Sequence, residues 1–182
     1  MPENRDADTY WNCNDEDIIA SHEKYWKNRA KIMLSLLPKD VCSLMDFGCG
    51  NELCRELLSP NIKYYGLDMK RRNAETIVCD VNKEALPDIA YDCAYMAGFL
   101  YYIDNVPGFI SKITSKYILC SFIGRELFQR YGASEIMGRL PGVRSMYYTH
   151  EFIHIFLEQG WKLINVSGSR GGINCFLFSK LI

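Results

Sequence analysis

The chain of 182 residues carries 21 Lys and Arg against 22 Asp and Glu, a formal net charge of −1 with neutral histidines. This balance argues against a broad nucleic-acid-binding surface, and no segment approaches the ~20 consecutive apolar residues of a membrane-spanning helix. Residues 1–6 are polar and acidic, unlike a signal peptide, so we expect a cytoplasmic protein without nucleic-acid or membrane partners. The length fits a single domain, 1–182.

Eight cysteines and three histidines raise the question of disulfides or a metal site. No two cysteines form a Cys-x-x-Cys pair, and the ligand spacings of structural zinc sites are missing. Four of the cysteines lie within strand-like apolar runs, where small buried hydrophobic residues belong. They are Cys79, Cys93, Cys120 and Cys175. We therefore expect reduced thiols and no metal.

A helix is predicted from Asp15 to the residue before Pro38, because acidic residues favour its first turn and proline ends it. Apolar and aromatic side chains recur along it at helical spacing. They are Ile18, Ile19, His22, Trp26, Ala30, Met33 and Leu37. The stripe predicts a face that packs against a sheet.

A strand, a glycine-containing turn and a helix are predicted between residues 41 and 58. The apolar run Val41–Phe47 leads into Gly48 and Gly50, and helical spacing begins at Glu52. Glycine permits positive φ and lets a ligand approach the backbone, so the pattern is typical of nucleotide-binding α/β units. A dinucleotide fingerprint would need glycine at position 53, where Leu53 stands, which argues against an NAD-dependent oxidoreductase.

The surroundings of this turn identify a different family. Asp46 precedes Gly48 by two residues, and a second strand, Ile62–Leu67, ends at Asp68. Together they resemble motif I and the following acidic strand end of class I S-adenosylmethionine (SAM)-dependent methyltransferases, a resemblance that runs from Val41 to the C-terminus. It implies a doubly wound α/β fold with a mostly parallel seven-stranded sheet, an antiparallel C-terminal strand and helices on both faces.

The elements after Asp68 follow the order expected for the family, except that one helix is shortened or absent. Only Met69–Glu75 separate the second strand from the apolar run 76–79, so the helix usual in the family is reduced to a turn or lost. The remaining predicted elements are a short helix at Asn82–Leu86, a strand at Tyr91–Ala97, a helix at Val106–Thr114, a strand at Tyr117–Ile123, a helix N-capped by Thr149 and ended by Gly160, and strands at Trp161–Val166 and Ile173–Leu181. The short link between the last two strands requires an antiparallel hairpin.

The resemblance also assigns roles to single residues. Asp46 and the backbone of Gly48, Cys49 and Gly50 would surround the methionine tail of SAM, and Asp68 would accept hydrogen bonds from the ribose diol. The remaining cofactor positions would be Met69 against adenine, Asp80 and the backbone of Val81 at its amino group, and Ala97 and Gly98 on the sulfonium side. The family's third glycine is replaced by Glu52. Residues 1–38 would cap the cofactor.

A hydroxyl acceptor needs a base within hydrogen-bond reach. The candidates are His150, at the start of the helix that follows residues 125–148, and His22, on the inner stripe of the first helix. His154 is expected to pack in its helix instead. Aromatic residues that could shape the acceptor pocket, or equally the core, are Tyr101, Tyr102, Tyr147 and Tyr148.

Residues 125–148 form an insertion that we expect to cover the substrate. Its four arginines face only two glutamates, which favours an acceptor with phosphate or carboxylate, although a solvated helix face is the commoner explanation. The arginines are Arg125, Arg130, Arg139 and Arg144.

The resemblance implies a SAM-dependent methyltransferase, and together with these residues it predicts O-methylation of a small hydroxylated acceptor such as a sugar, a sugar phosphate or a small acid. The alternatives are an N-methyltransferase, a protein or RNA methyltransferase of the same fold, and a non-catalytic SAM-binding module. The oligomeric state is left open.

Overall fold

The computed structural model describes residues 16–127, 142–168 and 173–181, with the side chains of the first helix described from residue 23 onward. Its strands are β1 (Ser43–Phe47), β2 (Lys63–Asp68), β3 (Ile77–Val78), β4 (Cys93–Ala97), β5 (Tyr117–Phe122), β6 (Trp161–Gly168) and β7 (Asn174–Lys180). Its helices are α1 (Glu16–Leu34), α2 (Leu53–Leu57), α3 (Val106–Ile110) and α4 (Thr149–Glu158), with a 3-10 turn at Leu100–Tyr102.

The seven strands form one sheet in the order β3-β2-β1-β4-β5-β7-β6. The pairs among β1 to β5 are parallel, whereas β7 is antiparallel to both β5 and β6. The strand order reverses between β1 and β4, so the carboxyl ends of these two strands flank the crevice in which such sheets bind ligands. The predicted fold class is confirmed, including the C-terminal hairpin.

Hydrophobic cores cover both faces of the sheet. On one face, Met45 and Phe47 of β1 share a core with side chains of α3 and α4. On the other, Leu44 of β1 packs with Met33 of α1 and Cys54 of α2. Because successive side chains of a strand alternate between faces, Asp46 lies on the α1 side. Cover on both faces explains the nearly continuous apolar runs of the central strands.

The predicted loss of the helix between β2 and β3 is confirmed. Residues 69–76 form a bend and a turn instead. The hydroxyl of Thr76 accepts hydrogen bonds from the backbone N–H groups of Arg72 and Asn73, at 3.1 and 2.9 Å. One buried threonine therefore organises the shortened connection.

Two local predictions were wrong, and in both cases a tertiary contact decides the structure. Residues 82–86 form no helix, because the Asn82 side chain donates to the carbonyl of Tyr102 at 2.8 Å and accepts from the N–H of Asp104 at 3.0 Å. Thr149 is the first residue of α4 rather than its N-cap, since its hydroxyl and N–H donate to the Glu126 carboxylate. Gly160, with φ of 75°, follows the end of α4 as expected.

The remaining predictions concern the cysteines, a metal site, membrane-spanning helices and the helical pieces of the insertion. The seven cysteines of the described part are free thiols, and no group of three or more His, Cys, Asp or Glu there could hold a metal ion. No described helix is long and apolar enough to cross a membrane. The predicted helical pieces between Phe128 and Pro141 lie outside the described residues.

Candidate cofactor site

The glycine turn lies at the carboxyl end of β1 and is tied to β2. The N–H groups of Gly48 and Cys49 both donate to the carbonyl of Leu67, at 2.8 and 3.0 Å. Gly48 and Gly50 have φ of 71° and 50°, a region that favours glycine. A Cβ on Gly48 would lie 2.7 Å from the Phe99 ring, so this glycine is also required for packing.

Glu52 takes the place of the family's third glycine and adopts the left-handed conformation, with φ of 55°. Its carboxylate pairs with Arg55 at 3.1 Å and also approaches β2, because a Cβ on Gly66 would lie 3.0 Å from Glu52 Oε1. For a residue other than glycine this conformation costs about 1–2 kcal/mol. The strained residue therefore lies directly in the candidate site, where such strain is commonly found.

Asp68 ends β2 with only 5% of its surface exposed. Its Oδ2 accepts from the N–H of Gly50 at 3.0 Å, while its Oδ1 accepts from the N–H of Lys70 at 2.9 Å and from Arg72 at 3.2 Å. Because each carboxylate oxygen has two lone pairs, Oδ2 keeps one acceptor position beyond its bond to Gly50. The carboxylate is thus fixed beside the glycine turn and retains capacity for a hydroxyl donor.

Asp46 is buried on the α1 side of β1, with 3% of its surface exposed. The Tyr64 hydroxyl donates to its Oδ2 at 2.9 Å. Burial raises the pKa of Asp46 to about 7, since desolvation disfavours the carboxylate more than the Tyr64 bond and the charge of Arg29 favour it. The neighbouring charge of Glu52 raises the pKa further.

Met69, Asp80 and Val81 follow the ends of β2 and β3. The N–H of Cys79 donates to the carbonyl of Asp68 at 3.0 Å, which keeps the two strand ends adjacent. Met69 exposes 57% of its surface, an apolar face next to Asp68. A hydrogen bond from Lys83 at 2.9 Å lowers the pKa of Asp80 and favours the ionised acceptor.

Ala97 is the last residue of β4, and the N–H of Gly98, the next residue, donates to the Ser121 hydroxyl at 2.9 Å. Gly98 has φ of 67°, and a Cβ there would lie 2.7 Å from Nη1 of Arg29. Arg29 therefore reaches from α1 to the carboxyl edge of the sheet. Sequence reasoning missed this residue, although the spacing Trp26, Arg29, Met33 places it on the inner face of α1.

The structure thus brings the predicted cofactor residues to one edge of the sheet. Of the two catalytic candidates, the structure describes the side chain of His150 alone. His150 lies in the first turn of α4, exposed and stacked on Tyr148 with 5.7 Å between ring centroids. The side chain of His22 lies outside the described part of the chain, so its role stays a prediction. The packing expected for His154 is wrong, because its side chain is 68% exposed and pairs with Glu158 at 3.0 Å.

The residues proposed to shape the acceptor pocket are also separated by the structure. Tyr101 is buried and its hydroxyl bonds the backbone of Ile123, so it belongs to the core. Arg144 pairs with both carboxylate oxygens of Asp104, at 2.8 and 2.9 Å. Arg125 lies over the Tyr148 ring at 5.6 Å from its centroid. Arg130 and Arg139 are not among the described residues.

Comparison with solved structures decides the fold. One similar structure is a chain of the complex between the Haloferax volcanii Trm112 methyltransferase activator and a methyltransferase. The TM-score is 0.76 at 14% identity, and the alignment covers 98% of this chain and 99% of that one. A SAM-dependent methyltransferase of Thermotoga maritima gives a TM-score of 0.69 at 16% identity and coverage of 91% and 94%. This protein has the class I SAM-dependent methyltransferase fold.

The magnesium protoporphyrin IX methyltransferase of Synechocystis PCC 6803, with bound S-adenosylhomocysteine (SAH), gives a TM-score of 0.62 at 15% identity, with coverage of 91% and 86%. No protein-family model and no curated protein matches the sequence. At these identities the similarity concerns the methyltransferase fold, and the sequence-based prediction of that fold is confirmed.

Proposed function

We propose that the protein binds SAM and transfers its methyl group to a hydroxyl group of a small, anionic molecule. The observation that supports cofactor binding most directly is Asp68, a buried carboxylate that two backbone N–H groups orient beside the glycine turn. Its unused acceptor position on Oδ2 suits a ribose hydroxyl. Leu53 and the antiparallel β7 both argue against an NAD-binding alternative.

The other cofactor assignments follow the edge of the sheet. The methionine tail would lie at Asp46 and the turn of Gly48, Cys49 and Gly50, and adenine would lie against exposed Met69. Asp80 would accept from the adenine amino group, with the backbone of Val81 beside it. Ala97 and Gly98, at the end of β4, would face the sulfonium.

When bound, SAM supplies an electrophilic methyl carbon, whose bond to sulfur breaks as the acceptor oxygen forms the new bond to carbon. The task of the protein is then to hold the acceptor in line with that bond and to receive its proton. We assign the role of proton acceptor to His150, whose imidazole is accessible at the start of α4. His22 is the second candidate for this role. Arg125, held over Tyr148, would bind the anionic group of the acceptor.

A non-catalytic SAM-binding module is the second candidate, and Glu52 is the observation that favours it. A strained carboxylate stands in the turn where the family has glycine, next to the position assigned to the methionine tail. N-methylation, or methylation of a protein or an RNA, would use the same cofactor site with a different acceptor.

The acceptor class is tested with SAM that carries a radiolabelled methyl group. The purified protein is offered sugars, sugar phosphates and hydroxy acids, and in parallel amines, peptides and RNA. We expect label in a hydroxylated anion, and we expect His150→Ala to reduce the rate by roughly 10²–10⁴-fold while SAH affinity is kept. Labelling of an amine, peptide or RNA alone would refute the acceptor assignment, and SAH binding without any labelled product would favour the non-catalytic module.

A further inference from the structure

A cluster of polar side chains, Arg29, Asp46 and Tyr95, lies between α1 and the carboxyl ends of β1 and β4. Asp46 and Tyr95 are direct partners in the register of these two strands, and both are almost fully buried, at 3% and 1% exposure. Their side chains share the α1 face of the sheet. Arg29 of α1 covers the same region, because its guanidinium lies against Gly98 at the end of β4.

Two polar atoms of this cluster have no hydrogen-bond partner. In the described part of the chain, four buried side-chain nitrogen or oxygen atoms lack a hydrogen bond, and Arg29 Nε and the Tyr95 hydroxyl are two of them. The Cys54 thiol lies near the Tyr95 hydroxyl, but a thiol is a weak acceptor. A buried polar group without a hydrogen bond destabilises the structure that holds it. Two such donors at one place indicate a site for an acceptor that comes from outside the chain.

The charges of the cluster indicate what kind of acceptor would fit. Arg29 forms no ion pair with any other described residue, and a guanidinium matches the geometry of a carboxylate. Asp46, the strand partner of Tyr95, can pair with an ammonium group. A ligand with a carboxylate and an ammonium on one carbon atom, an α-amino acid end, satisfies both.

We propose that Arg29 and Tyr95 bind the α-carboxylate of the methionine tail of the cofactor, and that Arg29 is a specificity-determining residue for cofactors in which this carboxylate is intact. This inference rests on the proposed function, since it takes SAM or SAH as the ligand. It adds α1 to the cofactor site, so that the helix contributes a charged ligand contact as well as cover.

The test compares two ligands that differ only in the carboxylate: SAH and its decarboxylated analogue, S-adenosyl-3-thiopropylamine. Dissociation constants are measured for the wild type, Arg29→Met, Arg29→Lys and Tyr95→Phe. The control is Lys24→Met, which removes a positive charge from the exposed side of the same helix. Thermal unfolding of each variant verifies that it is folded.

We expect Arg29→Met to weaken SAH binding by about 10–100-fold, the range of a charge-assisted hydrogen bond, and the analogue by less than about threefold. Arg29→Lys should recover part of the loss. Tyr95→Phe should weaken SAH by about 5–10-fold without lowering the thermal midpoint, because it removes an unpaired hydroxyl. Lys24→Met should change neither ligand.

Equal losses for SAH and the analogue, or unchanged SAH affinity in both Arg29→Met and Tyr95→Phe, would overturn the inference and leave the proposed function intact. If Arg29→Met does not fold, Tyr95→Phe and Arg29→Lys decide the question with the same pair of ligands. A wild type that binds neither ligand would overturn the proposed function and this inference together.

Discussion

At the scale of single residues, two aspartates of parallel strands show how position decides what a carboxylate does. Asp68 lies at the carboxyl end of β2, in the candidate site. Asp92 lies just before β4, at the opposite edge, where its Oδ2 accepts from the N–H groups of Cys42 and Ser43, each at 2.8 Å. Both accept backbone hydrogen bonds, so both stabilise the fold, but only Asp68 is placed to meet a ligand.

Replacement of each aspartate by alanine separates these two contributions. We expect Asp68→Ala to weaken SAH binding by about 10–100-fold, since a hydroxyl bonded to a charged acceptor contributes roughly 1.5–3 kcal/mol. Asp92→Ala should lower the free energy of unfolding by about 1–3 kcal/mol and leave SAH affinity unchanged. Calorimetric titration and denaturant unfolding of both variants check this, and equal affinity losses in the two would contradict the assignment of Asp68.

The buried carboxyl of Asp46 makes stability depend on pH. Its pKa is about 7 in the fold and 3.8 in its ordinary state, so the unfolded chain releases this proton first as the pH rises. The free energy of unfolding should therefore fall between about pH 4 and pH 7, by at most about 4 kcal/mol, and this loss is fully present above pH 7.

Asp46→Asn isolates that effect, because the amide oxygen can still accept from Tyr64 and cannot ionise. Relative to the wild type, the variant should gain stability as the pH rises from 5 to 8. Urea unfolding at both values measures the difference, in which other titrating groups cancel. Parallel pH profiles for the two proteins would contradict the burial argument.

At the scale of elements, the segments that connect the strands show which features the sequence predicts and which depend on tertiary contacts. The strand ends at Asp68 and Asp80 follow from apolar runs that stop at an acidic residue, a pattern visible without a structure. The abbreviated link after β2 follows from residue count alone. The segment after Asp80 was mispredicted because Asn82 bonds residues 102 and 104, about 20 positions away, which no local pattern reveals.

The polar cluster under α1 illustrates the same distinction. Helical spacing predicts which face of α1 points inward. The apolar residues of that face, such as Trp26 and Met33, predict packing and do not indicate a role for Arg29 between them. The role of Arg29 becomes visible only when β4 brings Gly98 and Tyr95 beneath it. Similarly, the sequence does not show that Arg144 is already paired with Asp104.

The glycine at the end of β4 gives a prediction for this contact between elements. Gly98→Ala introduces a Cβ 2.7 Å from the Arg29 guanidinium and requires alanine at φ of 67°, so the guanidinium must shift. We expect a lower thermal midpoint and SAH affinity reduced about tenfold or more, since charge-assisted bonds depend on geometry. Gly160→Ala, also at positive φ but with no atom within 4 Å of its Cβ position, is the matched control, and it should lose stability alone. Full SAH affinity in Gly98→Ala would contradict the contact.

At the scale of the whole molecule, the parallel arrangement of β1 to β5 gathers the candidate residues at one edge. The candidate residues lie at the carboxyl ends of β1, β2, β3 and β4. Residues between positions 46 and 98 are therefore close in space although they are distant in sequence. The antiparallel hairpin of β6 and β7 completes the sheet on the other side. Two-sided helical cover then makes the carboxyl edge the natural place for a ligand.

The central claim is that this edge binds SAM, and a calorimetric titration of the purified protein tests it most directly. SAM, SAH and NAD are titrated separately at two temperatures, so that a vanishing binding enthalpy at one of them does not conceal an interaction. We predict saturable binding of SAM and SAH with one site per chain, and no binding of NAD. Absence of binding for both SAM and SAH at both temperatures, or binding of NAD in their place, would contradict the account.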